Sequence, residues 1–211
     1  MEKLHRIRFS LLTLVIGSLL GIIGLVIRGP VPLPNIDADA WAKAVTGSSY
    51  FMAQVLNIIA YVLPFFGFWA LYAFLAKIEK SEKIAFWGFM FSIIGTALSL
   101  PTLGIFSFVS PQLAQRYLQG DTQLSEIITQ VAIGQPALIN ISGGVIYLIG
   151  TVLLGVAIWR SSLLPKWAGL LLALHGLFLV FGFALFPVLI LGWVFLLCCG
   201  VWVYFGATKI E

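Results

Sequence analysis

Charge is what this sequence has least of. Of 211 residues, 12 are Lys or Arg and 8 are Asp or Glu. That is 9% charged, where an average soluble domain carries about a quarter. So few charges cannot clothe a surface in water, and with 61% hydrophobic residues the chain reads as folded in lipid. The net charge of +4 is scattered singly and builds no patch, so nucleic acid is not expected as a partner. Cysteine is nearly missing. Cys198 and Cys199 adjoin in an apolar run, where neighbours rarely meet disulfide geometry and behave as small hydrophobes. No CxxC or Cys/His spacing suggests a metal. There is no P-loop, HExxH, carboxylate pair or selectivity-filter motif, and no acidic or basic side chain at mid-span. No catalytic residue is therefore expected, and the chain reads as something other than an enzyme.

What is abundant is apolar sequence in lengths that suit a bilayer, which needs roughly 20 residues per helix. Six runs qualify: 9–27, 50–76, 84–109, 136–159, 167–186 and 188–206. The expected fold is all-α, a single polytopic membrane domain over residues 1–211 with a six-helix bundle. Pro187 divides the last two runs into a tight hairpin. The opening "MEKLHRIRF" has the basic start of a signal peptide, but the run after it is too long and lacks a small-residue cleavage site, so an uncleaved helix is expected. Pro64 and Pro101 fall inside spans and should kink them.

Charge then sets direction. With six spans, Lys3, Arg6, Arg8, Lys77, Lys80, Lys83, Arg160, Lys166 and Lys209 share one side, and Arg28, Lys43 and Arg116 the other. The side rich in cations is cytoplasmic, which places both termini there, in a bacterial inner membrane or one derived from it. Trp69, Trp87, Trp159, Trp167 and Trp202 gather near the same ends, as an interfacial belt does. Two stretches on the outer side are amphipathic. Asp37 can cap a short helix with Ala40, Trp41, Ala44 and Val45 on its apolar side, and Leu124, Ile127, Ile128 and Val131 repeat at helical spacing after a break at Gly120. They read either as interfacial spacers or as a lid over an outward cavity.

Inside the spans the polar groups are neutral. Gln54, Asn57 and Tyr61 share one face of the second span, and Asn140, Gly144, Tyr147 and Thr151 one face of the fourth. His175 lies near the middle of the fifth. Such groups are costly in hydrocarbon unless paired, so they should face inward as interhelical hydrogen bonds or line a polar pocket. His175 could also ligate a single haem or chlorophyll, but His5 is the only other histidine and sits at the cytoplasmic entrance. No cofactor is expected. Ser142, beside Gly143 and Gly144, has the look of a nucleophile. Helical arithmetic puts it about 160° from Tyr147 and shallower than His175, so it should bond the carbonyl of Leu138 and serve structure.

Glycine supplies the packing signal. Gly17, Gly21 and Gly24 share one face of the first span, and Gly17-x-x-x-Gly21 is the spacing that lets membrane helices approach closely. Ser92, Gly95, Thr96 and Ser99 form a comparable seam on the third.

The stretch "GVAIWRSSLLPKWAGLLLALHG", residues 155–176, ends one span at Trp159-Arg160, turns through Leu164-Pro165 and opens the next with Trp167-Ala168-Gly169. It resembles bacterial multi-pass membrane proteins grouped as a domain of unknown function, and that resemblance implies no site residues. A structural or accessory subunit is the first functional expectation, acting through contacts with another membrane protein or with itself. A carrier or binding protein for a neutral or lipidic solute is the second, and an intramembrane hydrolase a distant third.

Overall fold

The structure of the protein is a computed structural model. The structure describes residues 2–121, 123–182 and 185–208, with side chains throughout except at 2–5, 79, 125, 132 and 208. The roles expected of Lys3, His5 and Lys209, and the last turn of the expected span 167–186, lie wholly or partly outside them.

Every regular element among the described residues is helical. In order they are α1 (Glu2–Arg28), α2 (Ala38–Val45), α3 (Ser48–Val62), α4 (Pro64–Leu75), α5 (Glu79–Gly104), a π-helical turn (Ile105–Val109), α6 (Ser110–Leu118), α7 (Leu124–Ile133), α8 (Gln135–Ser161), α9 (Lys166–Phe181) and α10 (Phe186–Thr208). Five stretches are long and apolar enough to cross a membrane: Arg6–Arg28, Ser48–Leu75, Lys80–Leu118, Glu126–Ser161 and Phe186–Ala207. The apolar helix α9 is shorter, 16 residues, or about 24 Å at 1.5 Å per residue.

The breaks follow local chemistry. α1 stops at Gly29, whose φ of 67° lies in the left-handed region that a Cβ disfavours. Pro64 has no N–H to donate, so it opens α4 in its first turn, and the join at Leu63 keeps helical angles (φ −58°, ψ −41°). The second expected span is thus two helices in series. Pro101 lies inside α5, and the wide π-helical turn begins four residues later. The third expected span runs on through that turn into α6.

The helices pack so that chain ends and hairpin turns alternate between two ends. At one end Arg8 lies over the ring of Tyr204, Ser81 donates to the carbonyl of Ala157, and Gly206 rests on Leu164 and Pro165. At the other, Arg28 lies over Phe186, Gly182 meets Leu189, and Thr102 donates to the carbonyl of Pro136. The interior differs between the two halves. Toward the termini it is apolar, with Leu11, Leu75, Leu154, Ile158, Leu196 and Val203 sealed from solvent. Toward the opposite end it holds Gln54, Asn57, Thr96, Ser99, Thr102 and Asn140, all buried.

A small cap with its own core covers that polar end. Trp41, Ala42 and Val45 of α2, Ala114 of α6, and Leu124 and Ile128 of α7 bury one another with Tyr50. Asp37 caps α2, accepting from the backbone N–H of Ala40 at 2.8 Å. The Tyr117 hydroxyl donates to Asp39 at 3.0 Å, tying α6 to α2. The buried side of each cap helix is narrower than its spacing suggested. In α2 Ala42 is buried while Ala40 and Ala44 are half-buried, and in α7 Ile127 is exposed, because the facing helices are short and cover only one ridge.

Candidate functional site

Three helices supply a fixed set of close approaches around the interior polar groups. α5 and α8 run against each other with small residues at each contact. The position a Cβ would take at Gly95 falls on the backbone of Tyr147, and that of Gly150 on Ser92. A Cβ at Gly143 would come within 2.8 Å of the Gly95 carbonyl and the Ser99 hydroxyl. Contact at this range lets the side chains of Asn140 and Tyr147, on the same helix, reach the bundle interior. Gly155 and Gly169 meet backbone to backbone where α8 crosses α9, and Gly176 makes room for Thr151.

Six of the seven residues expected to form the polar stripe fall into three groups. In the first, His175 is fully buried on α9. Its Nδ1 lies 2.8 Å from the carbonyl of Gly192 on α10, and its Nε2 lies 2.8 Å from the hydroxyl of Tyr147 on α8. A carbonyl can only accept, so Nδ1 donates; in the neutral ring Nε2 then accepts from Tyr147. One side chain thereby ties three helices. Trp193, next to Gly192, rests between the rings of His175 and Tyr61 and covers Gly21 of α1.

The second group is a chain along α3. Asn57 Nδ2 donates to Gln54 Oε1 at 3.3 Å, Gln54 Nε2 donates to the Tyr50 hydroxyl at 2.8 Å, and Tyr50 donates to the carbonyl of Phe106 at 3.2 Å. The chain ends in the π-helical turn beneath the cap. Its inner end is incomplete. Asn57 Oδ1 is buried against Gly24 with no hydrogen-bond partner among the described residues.

The third group lines a cavity. Tyr61 and Asn140 face it together with Thr96, Ser99, Gly144, Tyr147 and Leu179, and its volume is about 20 Å3. Thr151 belongs to none of these groups, since its hydroxyl donates to the carbonyl of Leu148 on its own helix. Ser142 faces outward from the bundle, and its hydroxyl makes no hydrogen bond to Leu138 or to any other described residue.

The glycine face of α1 meets three helices. Gly17 underlies the ring of Pro64, Gly24 underlies Asn57 and the carbonyl of Ala53, and Gly21 between them underlies Trp193 of α10. On α5, Ser92, Thr96 and Ser99 return their hydroxyls to the carbonyls of Gly88, Ser92 and Gly95, so the seam is lined by groups already satisfied.

Sequence reasoning passed over Tyr50, Gly192 and, on α8, Gly150. Tyr50 precedes Gln54 by one turn, so the i, i+4, i+7 polar spacing of Tyr50, Gln54 and Asn57 was a usable signal. Gly143 and Gly150 recur at seven residues, the same face two turns on. Gly192 contributes only its carbonyl, which leaves no trace in residue type.

The hairpin at residues 155–176 is one part of a longer match. The family described as a domain of unknown function (DUF4386) has a model that matches residues 12–205. The chain belongs to this family. The match runs from α1 through α10 and so takes in the cap, the His175 tie and the polar chain of α3 alike. No curated protein and no solved structure matches the chain.

Proposed function

We propose that this member of the family is a six-pass integral membrane protein of a bacterial inner membrane, with both termini cytoplasmic, that works as a structural or accessory subunit through helix contacts. Support for the sixth crossing comes from α9. It packs antiparallel between α8 and α10, from the crossing of Gly155 and Gly169 near one end to the meeting of Gly182 and Leu189 near the other. Its length of about 24 Å falls a little short of the roughly 30 Å hydrocarbon core, a mismatch that local thinning of the bilayer accommodates. The exposed rings of Trp69, Trp87, Trp159, Trp167 and Trp202 support a membrane interface at the end that holds the termini, and the cations gathered there support the orientation.

The observation that carries the accessory reading is how the interior polar groups are used. Tyr147 bonds His175, His175 bonds the backbone of Gly192, and Gln54 bonds Tyr50 and Asn57, while the central cavity of about 20 Å3 is far below the several hundred Å3 of an ordinary ligand site. These groups hold helices, which leaves the outer faces to do the work. Non-enzymatic action fits the same geometry, because His175 has no nitrogen to spare for Ser142, which points the other way. A haem or chlorophyll would have to displace Tyr147 or Gly192 from the ring, so His175 does not suit an axial ligand.

A carrier or binding role is the second reading, and one feature favours it. A cleft of about 350 Å3 opens where the cap meets α3, with Thr46, Gln112 and Gln115 beside the edge-to-face rings of Phe51 and Phe108. Amides beside exposed rings suit a neutral amphiphile. Native mass spectrometry of protein taken from the membrane in a lipid-retaining polymer separates the two. A stoichiometric protein partner or a defined self-assembly is expected; a lone chain carrying a bound solute would replace the accessory reading with the carrier.

A further inference from the structure

We infer that the cavity between α3, α5 and α8 is the binding site of one water molecule, shared by Tyr61, Asn140 and Tyr147. Size is the first reason. A volume of about 20 Å3 exceeds the 10–15 Å3 that one water needs and is far too small for an ordinary solute. Polarity is the second. Of the seven residues around the cavity only Gly144 and Leu179 lack a side-chain polar group.

The hydrogen-bond inventory supplies the third and decisive reason. Thr96 and Ser99 already donate to the carbonyls of Ser92 and Gly95, at 2.8 and 3.2 Å. The Tyr147 hydroxyl donates to His175 Nε2 at 2.8 Å and keeps its lone pairs. The Tyr61 hydroxyl and the Asn140 carboxamide make no hydrogen bond to any described residue, although Asn140 is only 8% exposed. A buried polar group without a partner forfeits what water gave it, and a single shared water restores this for both at once. That water accepts from the Tyr61 hydroxyl and donates to Asn140 Oδ1 and the Tyr147 oxygen. Three bonds is the usual complement of a buried water.

The site extends the His175 tie. With the water in place, α3 joins α8 at Tyr147, and through Tyr147 reaches α9 and α10. No direct bond links the Tyr61 and Asn140 side chains, so the hydrogen-bonded part of any coupling between them passes through the water.

A double-mutant cycle reads that coupling. Tyr61→Phe, Asn140→Leu and the double variant are made in the full chain, and their thermal midpoints are measured in one detergent. Each single variant is expected to lower the midpoint. The double variant is expected to lower it by clearly less than the sum, because the second deletion finds the water already released. Additive shifts, or single variants that match or exceed the parent, would mean a dry cavity and overturn the site. Should a variant fail to fold, the parent protein answers. With asparagine labelled with nitrogen-15 and the chain in lipid nanodiscs, a persistent magnetisation-transfer peak is expected between water and the Asn140 side-chain amide. No such peak, with the amide resolved, overturns the site as well.

Discussion

Both ring nitrogens of His175 are committed, and the two bonds differ in what their loss costs. Tyr147→Phe removes one hydroxyl and leaves Nε2 buried without a donor. The expected loss is about 1–3 kcal/mol, the usual cost of a stranded buried acceptor. His175→Ala does more. It strands the Tyr147 hydroxyl and opens a hole between Trp193 and Tyr147, so a loss of about 2–5 kcal/mol is expected, as for other large-to-small core changes. Ser142→Ala, on the outer face, is expected to change stability by less than about 0.5 kcal/mol. Unfolding the three variants in mixed detergent micelles checks the order. If Tyr147→Phe proved as silent as Ser142→Ala, the bond to His175 would not help hold the three helices. At this scale the sequence was partly legible. The inward faces of Asn140 and Tyr147 follow from a 3.6-residue period, and the outward face of Ser142 from the same arithmetic. Which polar group meets which does not follow from it. His175 chose Tyr147 and a backbone carbonyl because α8, α9 and α10 cross at fixed heights, and crossing height is a property of three helices together.

Small residues decide where helices touch, and the structure separates two kinds of glycine that look alike in sequence. Gly95 lies on the backbone of α8, which cannot swing aside as a side chain can. Gly104, nine residues along the same helix, has nothing within 4 Å of the position a Cβ would take. Gly95→Ala is therefore expected to push α5 from α8 and cost about 1–3 kcal/mol, as overpacking does. Gly104→Ala meets no obstacle and gains helix propensity, up to about 1 kcal/mol. Opposite signs in one unfolding assay are the expected result. Equal and small effects would mean that α5 and α8 are not held at backbone contact. The seam on α5 was readable from Ser92, Gly95, Thr96 and Ser99, but its partner was not named by any one motif. Gly143 and Gly150 sit in an apolar run where glycines are frequent, and only the crossing angle shows which of them face α5. The cap was legible as two amphipathic stretches. That they bury each other with Tyr50, instead of each lying separately on a surface, depends on contacts distant in sequence, such as Tyr117 with Asp39.

Taken whole, the molecule is apolar at the end that holds the termini and polar beneath the cap, and its cations have the opposite bias. Lys77 lies in a turn at the terminal end and Lys80, Lys83, Arg160 and Lys166 at the helix ends beside the turns there, whereas Arg116 at the cap pairs with Asp121 at 3.4 Å. Retention of cations in the cytoplasm is the ground for the proposed direction, since moving such loops across the membrane is disfavoured. The one helix that leaves the number of crossings open is α9, 16 residues long. If it crosses, Arg160 and the end of α10 lie on opposite ends of two successive spans and so on the same side of the bilayer. If it only dips into one leaflet, α10 alone crosses and the two positions lie on opposite sides. Reporter fusions after Lys80, Gly120, Arg160 and Ala207 distinguish these. Cytoplasmic signals are expected at Lys80, Arg160 and Ala207, and an external one at Gly120. A cytoplasmic Arg160 with an external Ala207 would reduce the protein to five crossings and make α9 a re-entrant helix. An external Lys80 would invert the whole topology and turn the cap, with the polar interior beneath it, toward the cytoplasm.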